Sequence, residues 1–314
     1  MTTPLTDSSF RPCLSCAAPA GGYLDHKLRG IDDVEGARVP DGLPPVVDAH
    51  VHLFPTPMFR ALWRWFDEWA WPVRYPLDAD GVIAFLRDRG IHRIVGLHYA
   101  HKPGMAEGLN EFMADLVARH PGVTGTATVL PGEPDAVGIL ERAFAKGLRG
   151  VKLHCHVQCF APDDEELHDV YACCARHDAP LVMHAGREPK SPGYACDPHA
   201  LCAAERLGRV LEDYPGLKVC VPHLGMDEIG EYVQLLERHD NLWLDTTMVL
   251  AGFFPDAVPW DLLARRPERL LYGTDFPNIP FAWDRELSRI LERELPPDAL
   301  EKLLGGTAVE LHGL

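Results

Sequence analysis

The sequence predicts an α/β fold, a (β/α)8 barrel of the TIM type led by an N-terminal arm. Two observations carry this. Eight short apolar runs alternate with eight helix-like stretches, and polar groups with chemical potential stand at the ends of several runs. Strand-then-helix units in that number are what a closed parallel barrel needs. An open doubly wound sheet is the alternative, but eight units in a row favour closure. The glycine-rich candidate near Gly104 lacks a dinucleotide or phosphate-loop pattern. A chain of 314 residues allows two domains, yet α/β barrels of this length commonly form one.

The first 44 residues are rich in Pro, Gly and charge without a clear period, so 1–44 reads as an arm and 45–314 as the barrel. Apolar runs follow at 46–54, 93–99, 123–130, 148–155, 180–185, 217–222, 242–249 and 269–274. Helix-like stretches lie at 78–89, 105–119, 134–146, 163–177, 199–213, 227–239, 256–265 and 284–294. Pro134-Asp135 and Pro162-Asp163-Asp164-Glu165 place proline and acids where a helix dipole favours them. Gly90, Gly147 and Gly216 stand at helix ends. One stretch breaks the rhythm: Trp63, Trp65, Trp69 and Trp71 fall close together after the first strand. On a barrel's active face such a segment forms a lid or pocket wall, with Trp65 toward substrate; a helix packing its apolar side on the barrel is the equal alternative.

Composition narrows the class. Hydrophobic residues make up 46% and charged residues 24%, as in an ordinary soluble protein. A formal charge of −16 argues against nucleic acid, which needs a basic patch, and against an anionic membrane surface. No apolar run approaches the ~20 residues of a membrane span, and Met1 to Phe10 lacks the apolar core of a signal peptide. Nine cysteines, an odd count spread along the chain, do not suggest a secreted disulfide framework. A cytoplasmic protein is expected. Cys13 and Cys16 lack the second half of a zinc site and read as incidental.

The chemistry starts in Val46-Val47-Asp48-Ala49-His50-Val51-His52-Leu53-Phe54. Side chains at i and i+2 of a strand share a face, so the imidazoles of His50 and His52 converge on one point. That suits a cation preferring nitrogen ligands. Further strand-like runs end in Lys152 and His154, in His184, in His223 and in Asp275. Each alone has a bland meaning, such as a polar strand end or a turn cap. Together they meet over one barrel mouth, and convergent titratable groups in one cleft mark a site.

These segments resemble the amidohydrolase superfamily, in particular the amidohydrolase-related branch that also contains aminocarboxymuconate-semialdehyde decarboxylase. The carriers are Asp48-Ala49-His50-Val51-His52, Gly150-Val151-Lys152-Leu153-His154, Met183-His184-Ala185-Gly186, Pro222-His223-Leu224-Gly225 and Tyr272-Gly273-Thr274-Asp275-Phe276-Pro277. Gly306 to Gly313 looks like the branch's closing helix. The resemblance spans about 46–313 and is specific for the branch, not for substrate. It implies one divalent metal, commonly zinc, held by His50, His52, His184 and Asp275, with a water completing the shell and His223 beside that water. Such a shell is catalytic rather than structural, and its metal lowers the pKa of the water toward ~7. Asp275 would also accept a proton, and His223 would donate or accept one. Asp48 either orients a ligand or merely opens the strand. A lysine at Lys152 is carbamylated in dinuclear relatives. Here Cys155 replaces the branch's proline and His156 is extra, so a mononuclear site is expected, with Lys152 and His154 lining the pocket. Lys152 and Arg187 are candidates for holding a substrate carboxylate. Tyr194 and Asp197, in a Pro/Gly-containing loop, are further candidates.

The expected activity is metal-dependent hydrolysis of a small ester, lactone or amide. Non-oxidative decarboxylation of an aromatic or unsaturated acid is the alternative on the same ligands. A barrel that only binds a partner is disfavoured because no site residue is missing. The expected partner is a small molecule, and homodimers are common among relatives, in which case the tryptophans form an interface instead of a lid.

Overall fold

The computed structural model describes residues 32–188, 190–253 and 258–314. The parallel strands are β1 (Val47–His52), β2 (Arg93–Leu97), β3 (Val123–Gly125), β4 (Val151–His154), β5 (Leu181–His184), β6 (Val219–Val221), β7 (Leu242–Asp245) and β8 (Leu270–Leu271). The helices are α1 (Thr56–Trp69), α2 (Ala79–Asp88), α3 (Ala106–Arg119), α4 (Ala136–Ala145), α5 (Cys155–Gln158), α6 (His168–Arg176) and α7 (Pro198–Leu201). They continue with α8 (Ala204–Asp213), α9 (Ile229–Arg238), α10 (Trp260–Arg265), α11 (Arg285–Leu291), α12 (Pro297–Glu301) and α13 (Thr307–His312).

Each apolar run holds a strand, and the runs overshoot the ladders. The run at 123–130 pairs regularly only through Gly125 and then makes a single bridge at Ala127. The stretch at 163–177 divides into a tight turn at Glu165–Leu167 and then α6. The stretch at 199–213 divides into α7 and α8, because Ala203 takes an extended conformation. The Trp-rich stretch is a full helix, α1, started by Pro55 and Pro57.

Hydrogen bonding runs β1-β2-β3 and β4-β5-β6-β7-β8, with two seams between the sets. Ala127 N donates to Gly150 O at 2.8 Å and Lys152 N to Ala127 O at 2.8 Å, joining β3 to β4. Ala49 N donates to Tyr272 O at 3.0 Å, Asp275 N to His50 O at 2.9 Å, and His52 N to Phe276 O at 2.8 Å. This second seam closes the (β/α)8 barrel and fixes Asp275 beside the His50–His52 pair. A small apolar cluster inside the barrel, including Val47, Val95, Val182 and Leu271, meets Ala308 and Leu311 of α13. The expected closing helix is therefore α13, which covers that end.

Two features around β1 place its polar groups. The β1–β2 register shifts between Asp48 and Val51. A shift of this kind breaks strict alternation, so Asp48 does not join the histidines. Its carboxylate accepts from Thr274 Oγ1 at 2.6 Å, Thr274 N at 3.1 Å and His50 N at 3.2 Å. Asp48 thus fastens β1 to the turn before Asp275 and orients no imidazole side chain. Gly273 allows that closeness: a Cβ there would lie 2.6 Å from Thr247 Oγ1 and 2.7 Å from His50 Cβ.

Residues 1–31 of the expected arm, including Cys13 and Cys16, lie outside the described residues. The part that follows is pinned to the barrel: Asp33 pairs with Arg285 at 2.9 Å and Glu35 with Arg89 at 3.1 Å. Among the described residues seven cysteines are free thiols, and no helix is long and apolar enough to cross a membrane.

Candidate functional site

β1 delivers the first two groups. The rings of His50 and His52 lie 5.2 Å apart, and both are buried. Asp275 approaches from the β8 turn in a left-handed conformation, φ 67°. Its Oδ1 is 2.9 Å from His52 Nε2 and 3.4 Å from His50 Nε2. Ligand atoms from these three residues all lie within 4.8 Å of one another. Burial opposes ionisation of Asp275. The hydrogen bond and charge of His52, with the fields of His50 and His223, outweigh it and hold the carboxyl well below the usual range.

Asp245, at the end of β7, organises the site. Its Oδ2 accepts from His50 Nδ1 at 2.7 Å, and its Oδ1 accepts from His223 N at 2.9 Å. Because a carboxylate can only accept, Nδ1 carries the His50 proton and Nε2 is left bare. Burial pushes the His50 imidazole down to about 4, against the raising field of Asp245. Burial also opposes charge on Asp245, but His50 wins and the carboxyl falls to about 2. His223 has φ 57°, a sparsely populated region for a non-glycine residue. It is held there by Asp245 and by a 3.0 Å hydrogen bond from its Nδ1 to Thr247 O, which leaves Nε2 bare.

The opposite wall comes from β4 and β5. His154 stacks on His184 at 4.1 Å and meets Tyr99 edge-on at 4.9 Å. His184 is 4.7 Å from the His223 ring. A ligand atom of His184 lies within 4.8 Å of ligand atoms from His156 and Glu188. His184 Nε2 has no formed hydrogen bond, and Glu188 Oε2 stands 3.5 Å away. Lys152 lies one layer below His154. It is fully buried, without a hydrogen-bond partner for Nζ, and burial lowers it to about 8 while Asp245 and Asp275 pull it back up. Its charge acts on His50, Asp245 and Asp275 from beneath them. Arg187 does not border the cavity beside His154: its N donates to Glu228 Oε2 at 3.2 Å and its guanidinium stands 3.7 Å from Glu228. Asp197 caps α7 through His199 N and pairs with Lys190.

Beside His154, His156 and Tyr99 is a cavity of about 260 Å³. Its walls include Phe54, Leu62, Trp65, Phe66, Tyr99, His154 and Tyr194, with His101 and Lys102 also bordering it. Trp65 Nε1 donates to Gly193 O at 3.0 Å and its ring is 5.1 Å from Tyr194. The Trp-rich helix therefore is both things the sequence allowed: Trp65 walls the cavity, while Trp71 is buried and donates to Asn278 O at 2.7 Å.

The residues fit a divalent cation. The bare Nε2 of His50 is buried without a hydrogen bond, and a carboxylate oxygen and the Nε2 of His52 crowd the same spot. Lone pairs so arranged call for a positive charge among them. Asp245 and Glu188 were missed from sequence. Each is a lone acid beside an apolar run, which reads as a cap. Asp245→Asn is expected to lower metal affinity by about 10–100-fold with the fold intact, because an amide can donate to the wrong face of His50 Nδ1. Metal titration of the purified variant checks this, and unchanged affinity refutes the orienting role.

A buried His, His, Asp cradle at the mouth of a closed α/β barrel is an arrangement able to hold a divalent ion. The amidohydrolase family model matches residues 47–314, and the chain belongs to that family. Superfamily members are enzymes that bind a divalent metal. Among solved structures, the chain resembles a TIM-barrel protein from Bordetella bronchiseptica (20% identity, TM-score 0.64, 85% of this chain and 98% of that one). It also resembles a 5-carboxyvanillate decarboxylase from Novosphingobium aromaticivorans complexed with manganese (15%, 0.63, 90% and 99%). A third is a probable 2-pyrone-4,6-dicarboxylic acid hydrolase from Acinetobacter baumannii (16%, 0.58, 86% and 100%). Decarboxylases and a hydrolase thus share this fold.

Proposed function

We propose that the protein is a metal-dependent hydrolase of a small ester, lactone or amide, with one divalent ion held by His50, His52, His184 and Asp275. The carrying observation is the Asp275 carboxylate placed 2.9 Å from His52 Nε2 and 3.4 Å from His50 Nε2. Three nitrogens and one carboxylate favour zinc; manganese, as in the Novosphingobium decarboxylase, is the competitor. When bound, the ion supplies Lewis acidity and an activated water. Asp275 is the carboxylate placed to accept a proton from that water. His223, its Nδ1 fixed on Thr247 O, presents Nε2 to collect or return a proton. Asp245 holds His50 in its tautomer. The apolar walls from Phe54 to Tyr194 exclude bulk water and bind the body of the substrate.

A second reading has one observation in its favour. The cavity is walled by several aromatic rings, which suits a flat ring acid, and Lys102 is a cation on the same wall. In that case the reaction is decarboxylation. The test is a panel of lactones, esters, amides and aromatic acids offered to metal-loaded protein, with carbon dioxide and hydrolytic products both measured. Hydrolytic product without carbon dioxide supports the first reading. Carbon dioxide without water addition replaces it with the second. Turnover of neither class overturns both. With the active substrate, Trp65→Ala is expected to raise KM roughly 2–10-fold, the share of one aromatic contact, and an unchanged KM removes Trp65 from the pocket wall.

A further inference from the structure

Two thiols outside the metal cradle take no part in the chemistry above. Of the free cysteines among the described residues, Cys155, Cys173, Cys174, Cys202 and Cys220 are buried, whereas Cys159 is exposed and Cys196 half-buried. We propose that Cys159 and Cys196 are a redox pair, oxidised by a peroxide to a disulfide that ties together two walls of the substrate cavity.

Three observations carry the proposal. First, the thiols already meet although they come from different loops. Both Sγ atoms gather on one acceptor, His156 O, at 3.2 Å for Cys196 and 3.8 Å for Cys159, and the two side chains hydrogen-bond each other. Second, the pair is asymmetric. The hydrogen bond from the Cys196 thiol, helped by the positive field of His156, outweighs burial and brings Cys159 down to about 7. The same contact pushes Cys196 up. His156 keeps its field because Glu188 Oε1 stands 2.6 Å from its Nδ1. An exposed thiolate beside a thiol that keeps its proton is how a peroxide-reactive cysteine and its resolving partner are arranged. Third, both stand on cavity walls. Cys159 ends α5 at φ 56°, a region sparsely populated by residues with a side chain, just after Val157. Cys196 directly follows Gly193, Tyr194 and Ala195 and leads into α7. Val157, Gly193, Tyr194 and Ala195 all border the cavity, so a bond between the sulfurs fixes one wall to the other.

The step balances. The Cys159 thiolate attacks a peroxide oxygen, the O–O bond breaks, and hydroxide leaves and takes up the proton that Cys159 gave away. Cys196 Sγ then attacks the sulfenic sulfur, the S–O bond breaks, and water leaves with the Cys196 proton. The two thiols lose two electrons, and hydrogen peroxide becomes two waters.

The experiment takes the full-length, zinc-loaded, fully reduced protein, adds hydrogen peroxide, blocks the remaining thiols with N-ethylmaleimide and maps unreduced proteolytic peptides by mass spectrometry. A linked Cys159–Cys196 peptide that dithiothreitol separates is expected. Cys196→Ser should trap Cys159 as a sulfenic acid that dimedone labels. Cys159→Ser should slow peroxide consumption roughly 10-fold at neutral pH, the loss of thiolate fraction. Oxidation elsewhere with both thiols left intact overturns the proposal, as does a Cys159 that goes on to sulfinic acid beside an unmodified Cys196. For whichever substrate is turned over, KM of the oxidised form is expected to differ roughly 2-fold or more from the reduced form and to return on reduction. A linked peptide with unchanged KM overturns the tie to the cavity. The bridge is read without turnover, so it stands or falls apart from the hydrolase reading.

Discussion

Replacing His52 by alanine is expected to remove the metal and the activity together. His52 supplies one of four donors, and its Nε2 also faces Asp275 at 2.9 Å. Without it, Asp275 loses its nearest imidazole partner and the ion loses one of its ligands. Loss of a mere outer partner already weakens a metal by about 10–100-fold, so affinity should fall by more than ~100-fold and turnover at least as much. The fold should survive. β1 is held by main-chain bonds on both sides, and a partly polar side chain of this kind costs roughly 1–3 kcal/mol when truncated. Circular dichroism and metal analysis of the same sample check the two halves. A variant with parental metal content and parental turnover refutes the ligand assignment.

Asp275→Asn separates proton transfer from folding. The substitution keeps size and shape, and Asp275 N still donates to His50 O because that bond belongs to the backbone. What is lost is the charge, and with it the ability to accept a proton. General-base removal typically reduces turnover by ~10²–10⁴-fold, and a fall of that order is expected with the thermal midpoint shifted by only a few degrees. The measurement is kcat on fully metal-loaded variant beside its melting curve. A parental rate at full loading means that Asp275 is not the base, whatever else it binds.

The site was legible in part, for reasons that differ from residue to residue. The His50–His52 pair needs only strand periodicity, so neighbours in sequence reveal it. Asp275 and His223 follow from the position of their runs in a barrel. Lys152 was expected beside His154 as a cation for a substrate carboxylate; two residues along a strand are also one layer of depth, and it is fully buried with no hydrogen-bond partner for Nζ. Arg187 was placed by proximity to His184, and instead leans on Glu228 of the neighbouring turn. Asp245 was invisible because its partner His50 is 195 residues away. Only closure between β8 and β1, with β7 alongside, brings them together.

What the chain alone determined is the alternation of strand and helix and the kinds of donor at the strand ends, since both follow from local periodicity and side-chain chemistry. The three-dimensional fold decided which nitrogen meets which oxygen. A register shift in β1 sent Asp48 to Thr274, a left-handed turn swung Asp275 onto the histidines, and the curve of the barrel set His50 against Asp245. Those pairings depend on angstrom-scale placement between distant segments, which no pattern along a single strand can encode.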